Sequence, residues 1–375
     1  MRTVIAVAAA EVFDRLPAAL DGSGPALLPG GPQSLAGPLG PDEDSAGDPT
    51  AVVVATSGST GEPKGVLISA SALVASAEAT HKRLGGPGRW VLATPARYVG
   101  GIQVLVRSLV AGTEPVSLDL ADGFKVPDFV AAVDEVCRTP GRHYTALVPT
   151  QLARIVAVPD GLAALRRLDG IVMGGARLSP ELREAAAGAA VVSAYGMSET
   201  ASGCVYDGVP LDGVGVRLVD DRVAITGPTL ARGYRNRPDL TAESFVDGWF
   251  VTSDLGRFTG DGRLEVLGRA DDMINTGGVK VPANAVERLL ERHVDAACVV
   301  GIEHPEWGQI VAAAVVGAAD LDQLRDRVRA ELGAPAVPKV LRAVAELPLR
   351  GPGKVDRAAV RRILDPIVRD APGSS

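Results

Sequence analysis

Three cysteines in 375 residues are too few for a disulfide framework, and Cys137, Cys204 and Cys298 stand far apart. No CxxC knuckle is present, and the four histidines (His81, His143, His293, His304) show neither HExxH nor any paired spacing. A stapled secreted scaffold and a zinc site are thereby excluded, and a reducing, cytoplasmic setting is expected. Aromatic residues are scarce at 4%, and no arginine stripe interleaves them. With a net charge of -7 there is no basic face for a phosphate backbone, so no nucleic-acid partner is expected. Long apolar runs are also missing. Nothing approaches the ~18 residues that span a bilayer, so no membrane insertion is expected. Thr3 to Ala10 faintly resembles an export signal, but Glu11 and Asp14 interrupt it after about the minimum apolar length, which favours a buried strand or helix start.

The chain does have the means for a sizeable core and more than one domain: 46% hydrophobic residues over its length, with 22% charged. Residues 21–50, rich in Gly, Pro and Asp, read as an irregular loop. From Ala51 onward, strand-like runs (51–54, 90–93, 145–148, 170–173, 191–194) alternate with helix-length stretches (69–84, 103–111, 180–187). That alternation predicts crossover units on a buried, largely parallel sheet. Between Arg217 and Leu267 short strands broken by Gly and Asp predict a small antiparallel subdomain. Beyond Gly268, helices over 282–292 and 321–332 with strands over 297–302 and 310–316 predict a small α+β domain. The expected fold class is α/β, divided into residues 1–268 and 269–375.

The strongest local signal is Thr56-Ser57-Gly58-Ser59-Thr60-Gly61-Glu62-Pro63-Lys64-Gly65, directly after an apolar run. Glycines let backbone N–H groups surround an anion, hydroxyls add donors, and Lys64 supplies a point charge. The loop is built to grip phosphate. It is not a Walker A loop, because Glu62-Pro63 separate Gly61 from Lys64, and this excludes a P-loop NTPase. A flexible surface linker is the competing reading, but a linker needs no lysine and no buried strand before it.

In form this loop resembles the signature of the adenylate-forming superfamily, which includes acyl-CoA synthetases, adenylation domains and luciferases. Further motifs of that superfamily follow in order over about residues 51–360. Tyr195-Gly196-Met197-Ser198-Glu199-Thr200 resembles its second core motif, with Tyr195 stacking on a purine and Glu199, with Thr60, on Mg²⁺. Gly174-Gly175-Ala176 resembles the adenine-edge segment, at the strand end where open α/β sheets bind ligands. Arg232-Gly233-Tyr234 and then Asp247 to Asp254 resemble the stretch whose final carboxylate accepts the ribose hydroxyls, although Ser253 stands where relatives have Gly. Gly268 to Ile274 resembles the hinge motif, which puts Arg269 on the ribose and makes Asp271 the pivot. Thr276-Gly277-Gly278-Val279-Lys280-Val281 resembles the loop that enters on the coenzyme A side. Pro348 to Val355 resembles the terminal motif whose lysine, here Lys354, bridges the acid and the α-phosphate. Only six lysines stand among 38 basic residues, and Lys64, Lys280 and Lys354 hold motif positions, which suggests a need for a compact charge there.

The resemblance implies ATP and Mg²⁺ use, an acyl-adenylate, and thioester formation with coenzyme A. The short stretch before the phosphate loop and the Lys-poor composition are most similar to the compact actinobacterial o-succinylbenzoate–CoA ligases of menaquinone synthesis. Pro95 to Gly112 resembles their pocket helix, with Tyr98 as the gate and Gly101 beside it, although relatives often carry His near Arg97 or Tyr98. The substrate's second carboxylate needs a cation, and Arg107, in an apolar stretch, is the candidate, against the alternative of an arginine snorkelling to the surface. Alternatives are a ligase for another aryl or fatty acid, an enzyme loading a carrier protein (though no carrier domain follows Lys354), and a non-catalytic nucleotide scaffold, which would be expected to lack Lys354 or Glu199. The oligomeric state, homodimer included, is left open by the sequence.

Overall fold

The computed structural model describes residues 2–57, 63–349 and 355–369. The chain packs into two compact units: Met1–Val219 with Ala224–Thr252 and Thr259–Leu264, and Asp220–Val223 with Ser253–Phe258 and Glu265–Ser375. The fold is α/β, with a large N-terminal part of α/β layers, a small β subdomain and a small C-terminal α+β part.

The first unit is built on two sheets. One runs, edge to edge, Gly233–Tyr234, Pro63–Ser69, Thr50–Ser57, Ala26–Pro29, Thr3–Val7 and Gly37–Pro38. Its centre is apolar on both faces because alternate side chains of a strand point to opposite sides. Val52, Val54, Val66 and Ile68 pack under Leu73 and Ile102, while Val53 and Leu67 pack on the other side with Leu28, Leu35 and Leu39. Side chains of this size contribute about 1.5–3 kcal/mol each when fully buried.

The second sheet orders Val209–Pro210, Ser202–Tyr206, Val191–Met197, Gly170–Met173, His143–Leu147, Arg89–Leu92 and Val116–Ser117. From Val191–Met197 to Val116–Ser117 every pairing is parallel, as the alternation of strand and helix predicts. Phe129, Leu152, Ile155 and Leu165 from the intervening helices cover it. Five short strands in Gly215–Arg269 form the small subdomain's sheet. In the second unit the long hairpin Ala296–His304/Gly308–Val316 is buried on both faces, by helices Ala283–Leu290 and Leu321–Leu332 on one side and by Val360 and Leu364 on the other.

Two expectations need correction. Residues 21–50 are not wholly irregular: Ala26–Pro29 is a fully buried strand parallel to Thr3–Val7. The same segment closes around Arg235, which donates to the carbonyls of Leu35, Gly37 and Pro38 and pairs with Glu43. Those partners lie about two hundred residues away in sequence, so no local pattern announces them. The phosphate-loop segment, for its part, does not run from strand straight to helix. A second strand, Pro63–Ser69, intervenes, and the helix Ala70–Leu84 starts at a Ser69 cap whose hydroxyl accepts from Ala72 N at 3.2 Å.

A cation is enclosed in this unit. Arg107 is 1% exposed, so it does not snorkel to the surface. Its guanidinium lies 4.9 Å from the Trp90 ring centroid, and Nη2 donates to Tyr206 Oη at 3.4 Å. Trp90 Nε1 in turn donates to His81 Nε2 at 3.3 Å, which requires that nitrogen to be unprotonated. Burial, aided by the Arg107 charge, pulls the His81 imidazole down to about 4. The unfolded chain takes up that proton near 6.5, so between these values it holds more protons than the folded one, and stability drops as the pH is lowered through that window. His81→Gln keeps an acceptor for Trp90 but does not titrate. The fall in urea midpoint between pH 7 and about pH 4.5 should therefore be smaller in His81→Gln than in the native chain; equal falls would mean that His81 is not buried neutral.

Candidate functional site

In the first unit the site begins at the hairpin formed by Thr50–Ser57 and Pro63–Ser69. Thr56 stands opposite Lys64, with Thr56 Oγ1 donating to Lys64 O at 3.4 Å, and Ser57 stands opposite Pro63. The two feet of the phosphate-loop segment are thus fixed against each other, while Gly58, Ser59, Thr60 and Gly61 lie outside the described residues.

The second group comes from the parallel sheet. Gly170–Met173 and Val191–Met197 are neighbours, so Gly174-Gly175-Ala176 and Tyr195 emerge side by side at their C-terminal ends. Gly175 takes φ +83°. Every residue of Val191–Met197 is only half-buried, whereas Gly170–Met173 and His143–Leu147 beside it are buried throughout. A central strand left half open is what a ligand cleft requires. A cavity of about 340 Å³ at the other end of this strand, lined by Arg83, Val192, Tyr206, Asp207, Val209 and Arg263, gathers none of these groups.

The turn after Tyr195 is tight. Gly196 sits at a bulge where a Cβ would come within 2.1 Å of Ser202 O, so no other residue fits. Met197 N donates to Thr200 Oγ1 at 3.0 Å, Thr200 Oγ1 donates to Ser202 O at 2.7 Å, and Ser198 and Thr200 are buried. Ala201 (φ +49°) and Ser202 (φ +97°) are both left-handed, a cost of about 1–3 kcal/mol each of the kind that collects at functional sites. The short turn Ser198–Thr200 carries Glu199. Its carbonyl accepts from Ala231 N at 2.8 Å, and its Oε1 accepts from Tyr234 Oη at 2.9 Å. Lys64 Nζ lies 5.6 Å from the centroid of the same tyrosine ring. Tyr234 therefore touches both the loop lysine and the motif glutamate, a role that its place in the G-Y pair does not disclose.

The residues expected on the acid side belong to the helix Val99–Val110 and its N-cap. Tyr98 is its N-cap residue, with the Arg97 guanidinium 4.8 Å from its ring centroid, and Gly101 is buried in the first turn. Arg107 lies in the last turn, roughly 13 Å further along the axis at 1.5 Å per residue. Gate and anchor candidates are thus at opposite ends of one helix. Arg107 Nε has no hydrogen-bond partner among the described residues.

In the second unit Arg269 grips Asp271 with both nitrogens, Nε at 2.8 Å and Nη2 at 2.7 Å, and faces Asp254 at 3.9 Å. The bond to Asp271 holds the Arg269 guanidinium above its ordinary range. Burial pushes the Asp271 carboxyl up, but the Arg269 bond and charge outweigh it and leave it below the usual carboxylate range. The proposed ribose carboxylate, ribose arginine and pivot are neighbours. Gly277 (φ +57°) and Gly278 (φ +82°) form the two-residue turn between Met273–Thr276 and Val279–Pro282, both left-handed as such a hairpin demands, and Lys280 is exposed on its second strand. Lys354 lies outside the described residues, between Leu349 and Val355, which form an isolated antiparallel bridge.

Among the described residues no three His, Cys, Asp or Glu side chains cluster as a metal cage. A single carboxylate such as Glu199 suits Mg²⁺ that arrives on phosphate and keeps much of its water.

A protein of Mycobacterium tuberculosis named probable 2-succinylbenzoate–CoA ligase is 47% identical over 371 residues, covering 95% of this chain and 95% of its own. Among solved structures the chain is similar to the o-succinylbenzoate CoA synthetase of Bacillus subtilis in complex with its acyl-adenylate intermediate, at 27% identity and TM-score 0.72 over 84% of this chain and 69% of that one. It is also similar to the same enzyme in complex with ATP and magnesium ion, at 26% identity and TM-score 0.71 over 83% and 70%. The AMP-binding enzyme C-terminal domain matches residues 285–354. The AMP-binding enzyme match itself runs from residue 4 to residue 235 and takes in the hairpin, the half-open strand and the Glu199 turn alike: the chain belongs to the family of AMP-binding enzymes.

Proposed function

We propose that the chain activates 2-succinylbenzoate with ATP and transfers the acyl group to coenzyme A, the step that menaquinone synthesis requires. The observation that carries the reading is the meeting of Lys64 and Glu199 on one tyrosine beside a half-open strand, which supports roles for them as phosphate cation and metal carboxylate of a single site. The relatives' names supply the acid.

In the first half-reaction a carboxylate oxygen attacks the α-phosphorus, the bond to pyrophosphate breaks, and acyl-AMP forms. The protein's part is positioning and charge neutralisation. Thr56, Ser57, Gly58, Ser59, Thr60, Gly61 and Lys64 hold the outer phosphates, Glu199 with Thr60 takes Mg²⁺, and Tyr195 with Gly174, Gly175 and Ala176 holds the adenine, next to Gly196, Met197, Ser198 and Thr200. Asp254 and Arg269 hold the ribose, and Lys354 meets the charge that develops between acid and α-phosphate. Magnesium, when bound, supplies charge stabilisation on the phosphate oxygens. In the second half-reaction the coenzyme A thiolate attacks the acyl carbon and AMP leaves. Residues 269–375 turn about Asp271 against residues 1–268, withdrawing Lys354 and bringing in Gly277, Gly278 and Lys280. Three free cysteines suit a cytoplasmic enzyme.

Tyr98 and Gly101 line the acid's path, and Arg107 anchors its second carboxylate. The support for that anchor is an enclosed guanidinium whose Nε is unpaired among the described residues. A buried charge without a full set of partners is costly, and an incoming carboxylate would supply one.

The direct test is pyrophosphate release with a panel of acids, with and without coenzyme A. 2-Succinylbenzoate should respond most strongly and give its thioester only when coenzyme A is present; a response to fatty acids alone would overturn the substrate. Lys354→Ala should lose adenylate formation by several orders of magnitude yet still convert preformed acyl-AMP to thioester, and equal loss of both steps would break that division of labour. Arg107→Met should raise KM for the diacid about tenfold or more, the worth of a charged hydrogen bond, and leave an aryl monoacid near its native KM. Equal effects on diacid and monoacid would make Arg107 a packing residue.

A further inference from the structure

Glu199 is held at both ends. Its carbonyl is fixed by Ala231 N, and its carboxylate by the hydroxyl of Tyr234, three residues further along the same returning segment. That segment is no loose loop. Gly233 and Tyr234 pair antiparallel with Leu67 and Val66, and Arg232 N and Arg235 N donate to Leu67 O and Gly65 O at 2.9 and 2.7 Å. Tyr234 N also donates to Thr241 Oγ1 at 2.9 Å, and its ring packs edge-on against Phe245 at 5.9 Å. The side chain is 7% exposed, so its direction is set by packing rather than by solvent.

The chemistry of the hydroxyl matches this geometry. The Tyr234 hydroxyl donates to Glu199 Oε1 at 2.9 Å, and a carboxylate oxygen can only accept. The face of its ring meanwhile carries the Lys64 ammonium at 5.6 Å. Lysine and glutamate in one cleft tend to close on each other as an ion pair, which would spend the cation meant for phosphate on the carboxylate meant for metal. A rigid ring that binds one charge on its face and the other at its hydroxyl keeps them apart.

We propose that Tyr234 is a positioning residue for metal-bound ATP: its hydroxyl fixes the Glu199 carboxylate with Oε1 occupied and the other oxygen turned to the metal, while its ring seats Lys64 at the phosphates. This rests on the reading of Glu199 as the metal's carboxylate. Tyr234 touches neither reactant; it acts through the two residues that do.

The test measures binding, not turnover, on the full chain without acid or coenzyme A. The probes are Mn²⁺ with ATP, followed by the loss of the free-ion electron spin resonance signal, and ATP alone in chelator, followed by calorimetry. Tyr234→Phe keeps the ring, the Lys64 contact and the packing on Phe245 and removes only the donor. Its dissociation constant for Mn²⁺-ATP should rise about tenfold, as for loss of a hydrogen bond to a charged group, with metal-free ATP binding unchanged. Glu199→Gln should weaken Mn²⁺-ATP at least as much, and the double variant Tyr234→Phe/Glu199→Gln should be no weaker than Glu199→Gln alone, because the hydroxyl acts only through that carboxylate. Native Mn²⁺-ATP binding in Tyr234→Phe, an equal loss of metal-free ATP, or losses that multiply in the double variant would each overturn the proposal. Unchanged Mn²⁺-ATP binding in Glu199→Gln would remove the metal role of Glu199 and this inference with it. A defect in Glu199→Gln but none in Tyr234→Phe would sink the inference alone.

Discussion

The hydrogen bond from Tyr234 to Glu199, with that from Ala231 N to Glu199 O, joins the two sheets of the first unit. Glu199 belongs to the parallel sheet, delivered by the strand Val191–Met197 and the turn that follows it. Tyr234 belongs to the other sheet, at its edge, paired with the strand that leaves the phosphate-loop segment. The bond therefore ties the C-terminal end of Val191–Met197 to the hairpin of Thr50–Ser57 and Pro63–Ser69. Much of the surrounding detail serves that one contact: Gly196 without a Cβ, two left-handed residues at 201 and 202, and Arg235 locked to the carbonyls of 35, 37 and 38 directly after the tyrosine. The buried ion pair is tolerable because Arg235 also donates to three carbonyls, and the strain because the strands beneath it are well packed.

In the second unit the segment around residues 269–272 is held by charge, beside that unit's apolar core. Arg269 divides its guanidinium between Asp271 in the hinge motif and Asp254 on the strand Trp249–Phe258. Arg357, just beyond the Lys354 segment, pairs with Asp272 and Glu287. Two arginines thus hold adjacent hinge aspartates, one from the strand before the hinge and one from the helix after the terminal motif. Ion pairs of this kind are directional and can be exchanged at modest cost, whereas a packed apolar contact resists displacement. Pairs of this kind are compatible with the pivot proposed at Asp271.

How far the sequence reveals all this depends on the range of the interaction. Alternating apolar runs gave away the parallel sheet, since a strand buried on both faces cannot help being continuously hydrophobic. Gly277-Gly278 is legible as a turn because glycine takes two successive left-handed positions cheaply. The strand Ala26–Pro29 was hidden, at four residues among Gly and Pro, because its identity comes from a neighbour, Thr3–Val7, and not from its own pattern. From sequence Pro63–Ser69 reads as loop and helix start for the same reason: its pairing partner Thr50–Ser57 is what makes it a strand. Tyr234 was legible as half of a Gly-Tyr motif but not as the partner of Glu199, thirty-five residues earlier, because a motif records which residue is present and not what its hydroxyl reaches.

Arg107 carries the same lesson into the acid pocket. An arginine in an apolar helix reads as either an anchor or a snorkelling surface residue, and burial to 1% removes the second reading. What remains is a guanidinium supported by a π face and a phenol, neither of which bears a formal negative charge. Those contacts compensate part of the lost hydration, since aromatic faces attract cations and a weakly hydrated guanidinium tolerates burial better than an ammonium. They leave one N–H unmatched among the described residues, and a neutral His81 next to it lets the positive charge stand without a second one beside it. The unmatched N–H is what the proposed anchor role would use: of the two carboxylates of a dicarboxylic acid, the one not spent on phosphorus would supply the missing acceptor.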